Sequence, residues 1–321
     1  MAIALVGRAL LAPGEPERAP GRRVPERLDR DRVAGLRLVP VPVDAKGLDV
    51  AALAARVGRE RIRAVYLTPH HQYPTTVALA PARRLALLEL ARRVRLLVLE
   101  DDYDHEFHYE GRPLLPLASA DTAGSVVYVG TLSKVLAPGL RLGFVAAPLD
   151  AAERIAAHRA VLDRQGDLAV EAAVAELLEE GEVQRHVWRT RRIYAERREA
   201  LAEAIRAELD GALTFALPPG GMAFWCRTAP GLDPDAWVAG AEAAGVLVQA
   251  GRAFAFDGRP RPFLRLGFGR EEPRALREGV RRLAAAAPPQ RSAGAYRRAC
   301  SSPASTRSPP SARAASSSSP G

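Results

Sequence analysis

Three groups of residues carry the reactive chemistry of this chain. Lys134 ends the run Gly130-Thr131-Leu132-Ser133-Lys134, which follows an apolar segment and precedes Pro138-Gly139. Small hydroxyl residues ahead of a lysine can hold an anion while the amine reacts with a carbonyl. A lysine that is partly desolvated beside cationic groups has the lowered pKa that Schiff-base chemistry needs. Arg141, seven residues on, could pair with the same anion. The second group is Glu100-Asp101-Asp102-Tyr103-Asp104, at the C-terminal end of the apolar run LLVLE. Carboxylates there can meet a cationic ligand, because open α/β sheets bind ligands beyond the carboxyl ends of their strands. Together with His105 and His108 these acids match no standard metal-ligand spacing, so no metal is expected. The third is Arg265, inside the apolar run Phe263-Leu264-Arg265-Leu266-Gly267-Phe268. A guanidinium in an apolar strand needs a carboxylate partner from the protein or a ligand, and its planar fork fits one bidentately.

Lysine is rare here: of 46 Lys and Arg residues, only Lys46 and Lys134 are lysine. Rarity alone follows from a coding bias towards Arg, Ala, Pro and Gly. Lys46 lies in the polar turn VDAKGLD, where any hydrophilic residue serves. Lys134 stands where the chemistry needs a primary amine that arginine cannot supply.

Composition limits the remaining functions. The chain has 321 residues, 48% hydrophobic and 26% charged, which suits one large or two ordinary domains of a soluble protein. No apolar run reaches the roughly 18 residues of a membrane span. The opening MAIALVGRALLAPGEPERAPGRR has no basic stretch before its apolar residues and is read as a strand, not a signal peptide. Two cysteines, Cys226 and Cys300, make no disulfide or metal framework, so a cytoplasmic protein is expected. The net charge of +9 suggests nucleic acid, but five arginines and no acid lie in residues 288–321, and elsewhere both signs are mixed. Neither DNA contact nor a membrane is expected of this chain.

These residues must be positioned by regular elements. Prolines 13, 16, 20 and 25 exclude a helix across 11–35, and residues 288–321 are too rich in Ser, Pro and Ala to bury a core. Between them LRLVPVPV (36–43), RAVYLT (63–68), LLVLED (96–101), SVVYVGT (125–131) and LGFVAA (142–147) read as buried strands, with a helix over 81–95. Such alternation predicts a parallel α/β sheet. After residue 150 come long helical stretches at 151–164 and 168–209. Short strands at 222–227, 246–250 and 263–268 follow, with helices over 233–245 and 271–287. The expected organisation is an irregular segment 1–35, a first domain 36–150, a linking helix with a smaller α+β domain 151–287, and a disordered tail 288–321.

A strand-end aspartate, a lysine behind small hydroxyls, a following arginine and a second-domain arginine are together the parts of a pyridoxal-phosphate site. The aspartate would keep the pyridinium nitrogen protonated, the lysine would hold the aldehyde, and Arg265 would take an amino-acid carboxylate.

The segments TPHHQYPTT (68–76), EDDYDHEFHYEGRPLLPL (100–117), GTLSKVLAPGLRLGFVAAP (130–148), GGMAFW (220–225) and LRLGF (264–268) resemble the aminotransferase-like domain of MocR-type (PdxR-like, GntR-superfamily) regulators. The similarity runs from about residue 36 to about 287. It implies the three-layer α/β fold of type I, class I/II aminotransferases, mainly parallel and N-terminally truncated, with a smaller C-terminal α+β domain. By position it implies that Lys134 links covalently to the cofactor, Asp101 pairs with the pyridine nitrogen and Tyr103 with the 3′-oxygen. Thr131, Ser133 and Arg141 would contact the phosphate, and Arg265 the carboxylate of substrate or effector. Tyr73 takes the asparagine position of the Asn-Pro-Thr-Gly turn, within a loop shared with His71 and Gln72. The glycine expected after Pro74-Thr75 is Thr76, which would strain the turn if that position needs φ > 0.

The winged helix-turn-helix of the regulators, their linker and the first part of the aminotransferase-like domain have no counterpart here, and both ends read as out-of-frame or degraded sequence. Loss of that part would remove phosphate ligands and part of a dimer interface. Three functions follow. The chain is the effector-binding, pyridoxal-phosphate domain of a MocR-type regulator, sensing an amino acid or related small molecule as a homodimer if intact. Alternatively it is a class I/II aminotransferase working on an amino acid and a 2-oxo acid, or a shortened product without function.

Overall fold

The computed structural model describes residues 5–6, 9–11, 38–111, 114–162 and 164–289. The expectations of irregular chain over 12–35 and of a disordered tail from 290 lie outside those residues. The opening residues correct the reading as a strand. Residues 5–6 and 9–10 are helical. Val6 and Leu10 bury against Leu99, Val127, Val129 and Ile155, because apolar residues four apart share one helix face.

The chain enters through a hairpin, β1 (Val43–Asp44) and β2 (Gly47–Leu48), whose turn holds Lys46. Of the strand expected over 36–43, the described residues 38–42 form no ladder. Pro40 and Pro42 lack the amide hydrogens that a ladder uses. Helix α1 (Val50–Val57) starts at Asp49, whose carboxylate accepts from Ala52 N at 2.9 Å. Then β3 (Ala64–Leu67), α2 (Pro81–Val94), β4 (Leu97–Asp102) and β5 (Val126–Thr131) follow closely the apolar runs read from the sequence. Pro81 opens α2 at a position where its missing N–H costs nothing, and Arg95 ends it in the left-handed region.

The first sheet has the order β3-β4-β5-β6, with β6 being Gly143–Ala146. The first three strands are parallel, so β3, β4 and β5 present their carboxyl ends on one side. Strand β6 is antiparallel to β5, and three of its four residues are exposed, against the expectation of a buried strand. One sheet face packs Val65, Leu67, Val98 and Val126 against Leu53 of α1 and Leu87, Leu90 and Ala91 of α2. The other face lies under the opening helical residues and Ile155 of α3 (Leu149–Leu162).

The stretch 168–209 is two helices, α4 (Leu168–Glu179) and α5 (Glu182–Glu208). Gly181 separates them at φ 72°, a left-handed conformation glycine adopts at little cost. The second sheet has the order β7-β8-β10-β9, from β7 (Leu213–Thr214), β8 (Ala223–Thr228), β9 (Gln249–Ala250) and β10 (Phe263–Gly267), all antiparallel. Its core joins Phe224, Leu264 and Phe268 to Leu201 and Ile205 of α5, Trp237 of α6 (Pro234–Ala243) and Leu283 of α7 (Pro273–Ala285). The Trp237 indole donates to the Leu283 carbonyl at 2.8 Å, satisfying one of the acceptors that the last turn of α7 leaves open. Arg198 on α5 ties the two sheets' loops together. It donates to Pro218 O and Glu110 at 2.8 Å each and lies over the Tyr109 ring.

Candidate functional site

The five residues Glu100 to Asp104 divide their work by the alternation of a strand. Glu100 is fully buried and accepts from Leu117 N and Ala118 N at 2.8 and 3.0 Å, so its carboxylate caps the short 3₁₀ turn 117–120. Burial raises its pKa, and the two amides only partly oppose that. Asp101 is buried at the end of β4 and accepts from the Tyr66 hydroxyl at 2.6 Å. Asp102 is aligned with Gly130 on β5 and accepts from the Tyr128 hydroxyl at 3.0 Å, with His70 Nδ1 at 3.2 Å and His105 Nδ1 at 3.7 Å. Burial works to raise the pKa of Asp102, but the His70 imidazole, together with His105 and the Tyr128 hydroxyl, outweighs it and the net shift is downward. Asp104 meets His71 Nδ1 at 2.9 Å.

Tyr103 is buried and donates to the His71 carbonyl at 3.1 Å. That bond joins the strand-end loop of β4 to the loop after β3, where Tyr73 sits. The Tyr73 and Tyr103 rings meet edge to face at 6.3 Å between centroids. The loop itself is closed by Tyr73 N on Thr68 Oγ1 at 2.8 Å, Thr76 N on Gln72 O at 2.7 Å and Gln72 N on Val77 O at 2.9 Å. Thr76 has φ 64°, so the strain expected from the missing glycine is present. Thr76→Gly is therefore expected to raise the denaturation midpoint by the equivalent of about 0.5–1 kcal/mol. A midpoint that falls, or Thr76→Ala giving the same gain, would count against a backbone cause.

Arg265 comes from β10, in the other sheet, and its guanidinium carbon lies 4.9 Å from the Tyr73 ring centroid. Its Nε is buried without a hydrogen-bond partner. Phe254 closes the same corner, 5.4 Å from Tyr73 and 5.5 Å from Trp225 between ring centroids. Gly220 and Gly221 make this approach of the two halves feasible. A Cβ at Gly220 would collide with the His71 ring and the Phe107 carbonyl. Gly221 N donates to Phe107 O at 2.7 Å.

Lys134 lies in the loop between β5 and β6, with its side chain exposed. Leu132, Val135 and Leu136 pin that loop to Val183 and Val187 of α5. Ser133 N donates to Thr131 Oγ1 at 3.2 Å, so the turn after β5 folds its backbone back on the Thr131 hydroxyl. Arg141 is exposed, in the left-handed region at φ 53°. The structure thus joins Asp101, Tyr103, Tyr73 and Arg265 through direct contacts or a shared loop. It holds Thr131, Ser133, Lys134 and Arg141 on the neighbouring strand end and the loop that follows it. The described thiol, Cys226, is fully buried and its pKa is pushed up to about 12, so it offers no nucleophile at neutral pH.

The sequence reading missed Tyr66, Trp225, Phe254 and the involvement of His70. Tyr66 had a usable signal: it sits beside Leu99 in the parallel register, two residues short of Asp101. The others arrive through tertiary folding and carry no local pattern.

Comparison with known proteins places these features in context. Residues 31–283 match the family described as aminotransferase class I and II. Aromatic-amino-acid aminotransferase 1 of Thermococcus litoralis is 28% identical over 288 residues, covering 88% of this chain and 69% of that protein. The HTH-type transcriptional regulator TauR of Rhodobacter capsulatus is 34% identical, covering 88% of this chain but only 57% of the regulator. Among solved structures, LysN, the α-aminoadipate aminotransferase of Thermus thermophilus complexed with N-(5′-phosphopyridoxyl)-L-leucine, aligns with TM-score 0.80. It is 31% identical, covering 89% of this chain and 74% of LysN.

Proposed function

Since the chain belongs to the class I and II aminotransferase family, we propose that it is the pyridoxal-phosphate-binding, amino-acid-sensing domain of a MocR-type regulator. The observation that carries this is Arg265: a guanidinium delivered from the second sheet onto Tyr73, with a buried donor left open beside it. In this reading residues 36–150 hold the cofactor and residues 151–287 supply the carboxylate clamp. The similarity to TauR supports the regulatory setting, and the whole regulator's DNA target belongs to a longer protein than this chain spans.

Bound pyridoxal phosphate would supply an electron sink for the amino group it carries. The chain's own groups do the rest. The buried Asp101 carboxylate, oriented by the Tyr66 hydroxyl, would hold a proton on the pyridine nitrogen. Tyr103 would donate to the ring oxygen, and Tyr73 would wall the ring edge. Thr131, Ser133 and Arg141 would take the phosphate, with small hydroxyls and a guanidinium matching its oxygens. Lys134 would carry the cofactor covalently, and its exposed position leaves the amine free to reach it. The amino-acid carboxylate would lie across the Arg265 fork, desolvated by Phe254 and Trp225.

The same residues serve a second reading, transamination itself, which the similarity to LysN and to the Thermococcus enzyme supports. A homodimer fits both. Val161, Leu168, Leu178, Trp188 and Ile193 on α3 to α5 expose large apolar surface that a second copy would cover. One preparation tests these readings. Purified chain with pyridoxal phosphate is expected to develop a visible absorbance band that shifts when L-amino acids are added. Release of 2-oxo acids in stoichiometric excess favours the enzyme, and binding without release favours the sensor. No band at all removes both readings, and sedimentation as a monomer at micromolar concentration removes the dimer.

A further inference from the structure

We propose that His70, Asp102 and His105 form a binding site for a divalent first-row transition-metal ion of the zinc class, clamping the loop after β3 to the loop after β4. Four of the chain's six histidines, His70, His71, His105 and His108, line one cavity of about 20 Å³ between these loops. The nearest potential ligand atoms of His70, Asp102 and His105 all lie within 4.8 Å of one another. Ligand atoms around a tetrahedral ion at roughly 2.0–2.1 Å stand about 3.3 Å apart. The observed 3.2 Å from Asp102 Oδ2 to His70 Nδ1 matches that spacing, and His105 Nδ1, at 3.7 Å from the same oxygen, would draw in by a few tenths of an ångström on binding.

Orphaned polar atoms mark the spot independently. His70 Nδ1, His105 Nδ1 and Asp102 Oδ1 are all buried without a hydrogen-bond partner, and His70 and Asp102 are only 7% and 5% exposed. Such atoms are costly unless something satisfies them. A His70–Asp102 ion pair would engage those two residues alone. It leaves the convergence of His105, whose ring meets His70 edge on at 4.4 Å between centroids, without a role.

The groups behind these ligands fit the same purpose. His70 Nε2 is 2.7 Å from the Leu114 carbonyl, which can only accept, so Nε2 carries the proton and Nδ1 is the atom that would turn its lone pair to an ion. The Tyr128 hydroxyl steadies the Asp102 carboxylate at 3.0 Å. A cavity of this size takes one water, enough for a fourth ligand. Strand alternation turns Asp102 away from Asp101, so the metal site and the cofactor site sit on opposite faces of β4. An ion here would fix the loops that carry Tyr73 and Tyr103 without entering the chemistry.

The test uses untagged, metal-free protein titrated with Zn(II) against a chromophoric chelator, with and without pyridoxal phosphate. One ion per chain is expected in both conditions. His70→Asn or His105→Asn should each weaken binding by about 100-fold or more, and Tyr128→Phe by about 10-fold, because that hydroxyl only orients the Asp102 carboxylate. His186→Asn, in the first turns of α5 and outside this cluster and its cavity, should change nothing. Co(II) should give the visible absorption of a tetrahedral centre, lost in His105→Asn. Circular dichroism verifies folding, and the part-exposed His105 keeps the test decisive should His70→Asn fail to fold. Sub-stoichiometric binding, equal binding by the histidine variants, or equal weakening by His186→Asn would overturn the site and leave an ordinary His–Asp pair.

Discussion

Lys134→Ala is expected to abolish covalent capture of pyridoxal phosphate. After reduction with borohydride the parent chain should carry one pyridoxyl group on the peptide containing residue 134, and the variant none. The experiment is unusually clean because the chain offers only one other lysine side chain, Lys46, in the β1–β2 turn. Lys46→Arg should therefore label as fully as the parent. Lys134→Arg should behave like the alanine variant, because a guanidinium stays protonated and forms no imine. Label that persists in Lys134→Ala, or that divides evenly between Lys134 and Lys46, would reduce the lysine to surface chemistry. The loop should survive the substitution, since Leu132, Val135 and Leu136 hold it and the Lys134 side chain is exposed.

Arg265→Ala is expected to weaken amino-acid binding by roughly 30- to 1,000-fold, the 2–4 kcal/mol typical of truncating one side of a desolvated charge pair. The loss should fall on the carboxylate. The parent should bind an L-amino acid such as L-leucine far better than the corresponding amine, and the variant should bind both equally weakly. Arg265→Lys should lie between, since an ammonium keeps the charge but not the bidentate fork. Cofactor capture at Lys134 should be unchanged, which separates this result from failure of the cofactor site. A variant that keeps its preference for the acid over the amine would show that another cation takes the carboxylate. Stability should change little, because Arg265 has no protein carboxylate as partner among the described hydrogen bonds and ion pairs. Its contact is the Tyr73 ring.

Much of the frame was legible because local and tertiary demands agree. Strands β4 and β5 begin as apolar runs that are buried on both faces, β3 alternates buried with half-buried residues, and α2 begins at a proline that suits its first turn. Where the two demands diverge, the sequence misleads. The run 36–43 is apolar enough for a strand, but Pro40 and Pro42 deny it a ladder. The stretch 168–209 has unbroken helical periodicity, yet Gly181 turns left-handed and makes two helices. Strands of two residues, such as β1, β2 and β7, leave no period to read. At the site, Thr76 was legible through the glycine it replaces, and its φ of 64° bears that out. The meeting of His70 with Asp102 and His105 was not, because it depends on two loops from neighbouring parallel strands, far apart along the chain. Arg265 could be identified as a cation wanting a partner, but only the folded chain shows that its guanidinium lies over the Tyr73 ring.

Strand β6 has a further consequence. Among the described residues it ends its sheet, and Gly143, Phe144, Val145 and Ala146 carry neither charge nor proline. Phe144 is 51% exposed, covering Gly130, where a Cβ would strike its ring. An uncharged edge with no described partner is a template for another strand, and nothing in these four residues repels one. An edge of this kind would tie the protein's colloidal behaviour to whatever strand reaches it, from its own chain or another: one partner closes the sheet, and many in succession make aggregates.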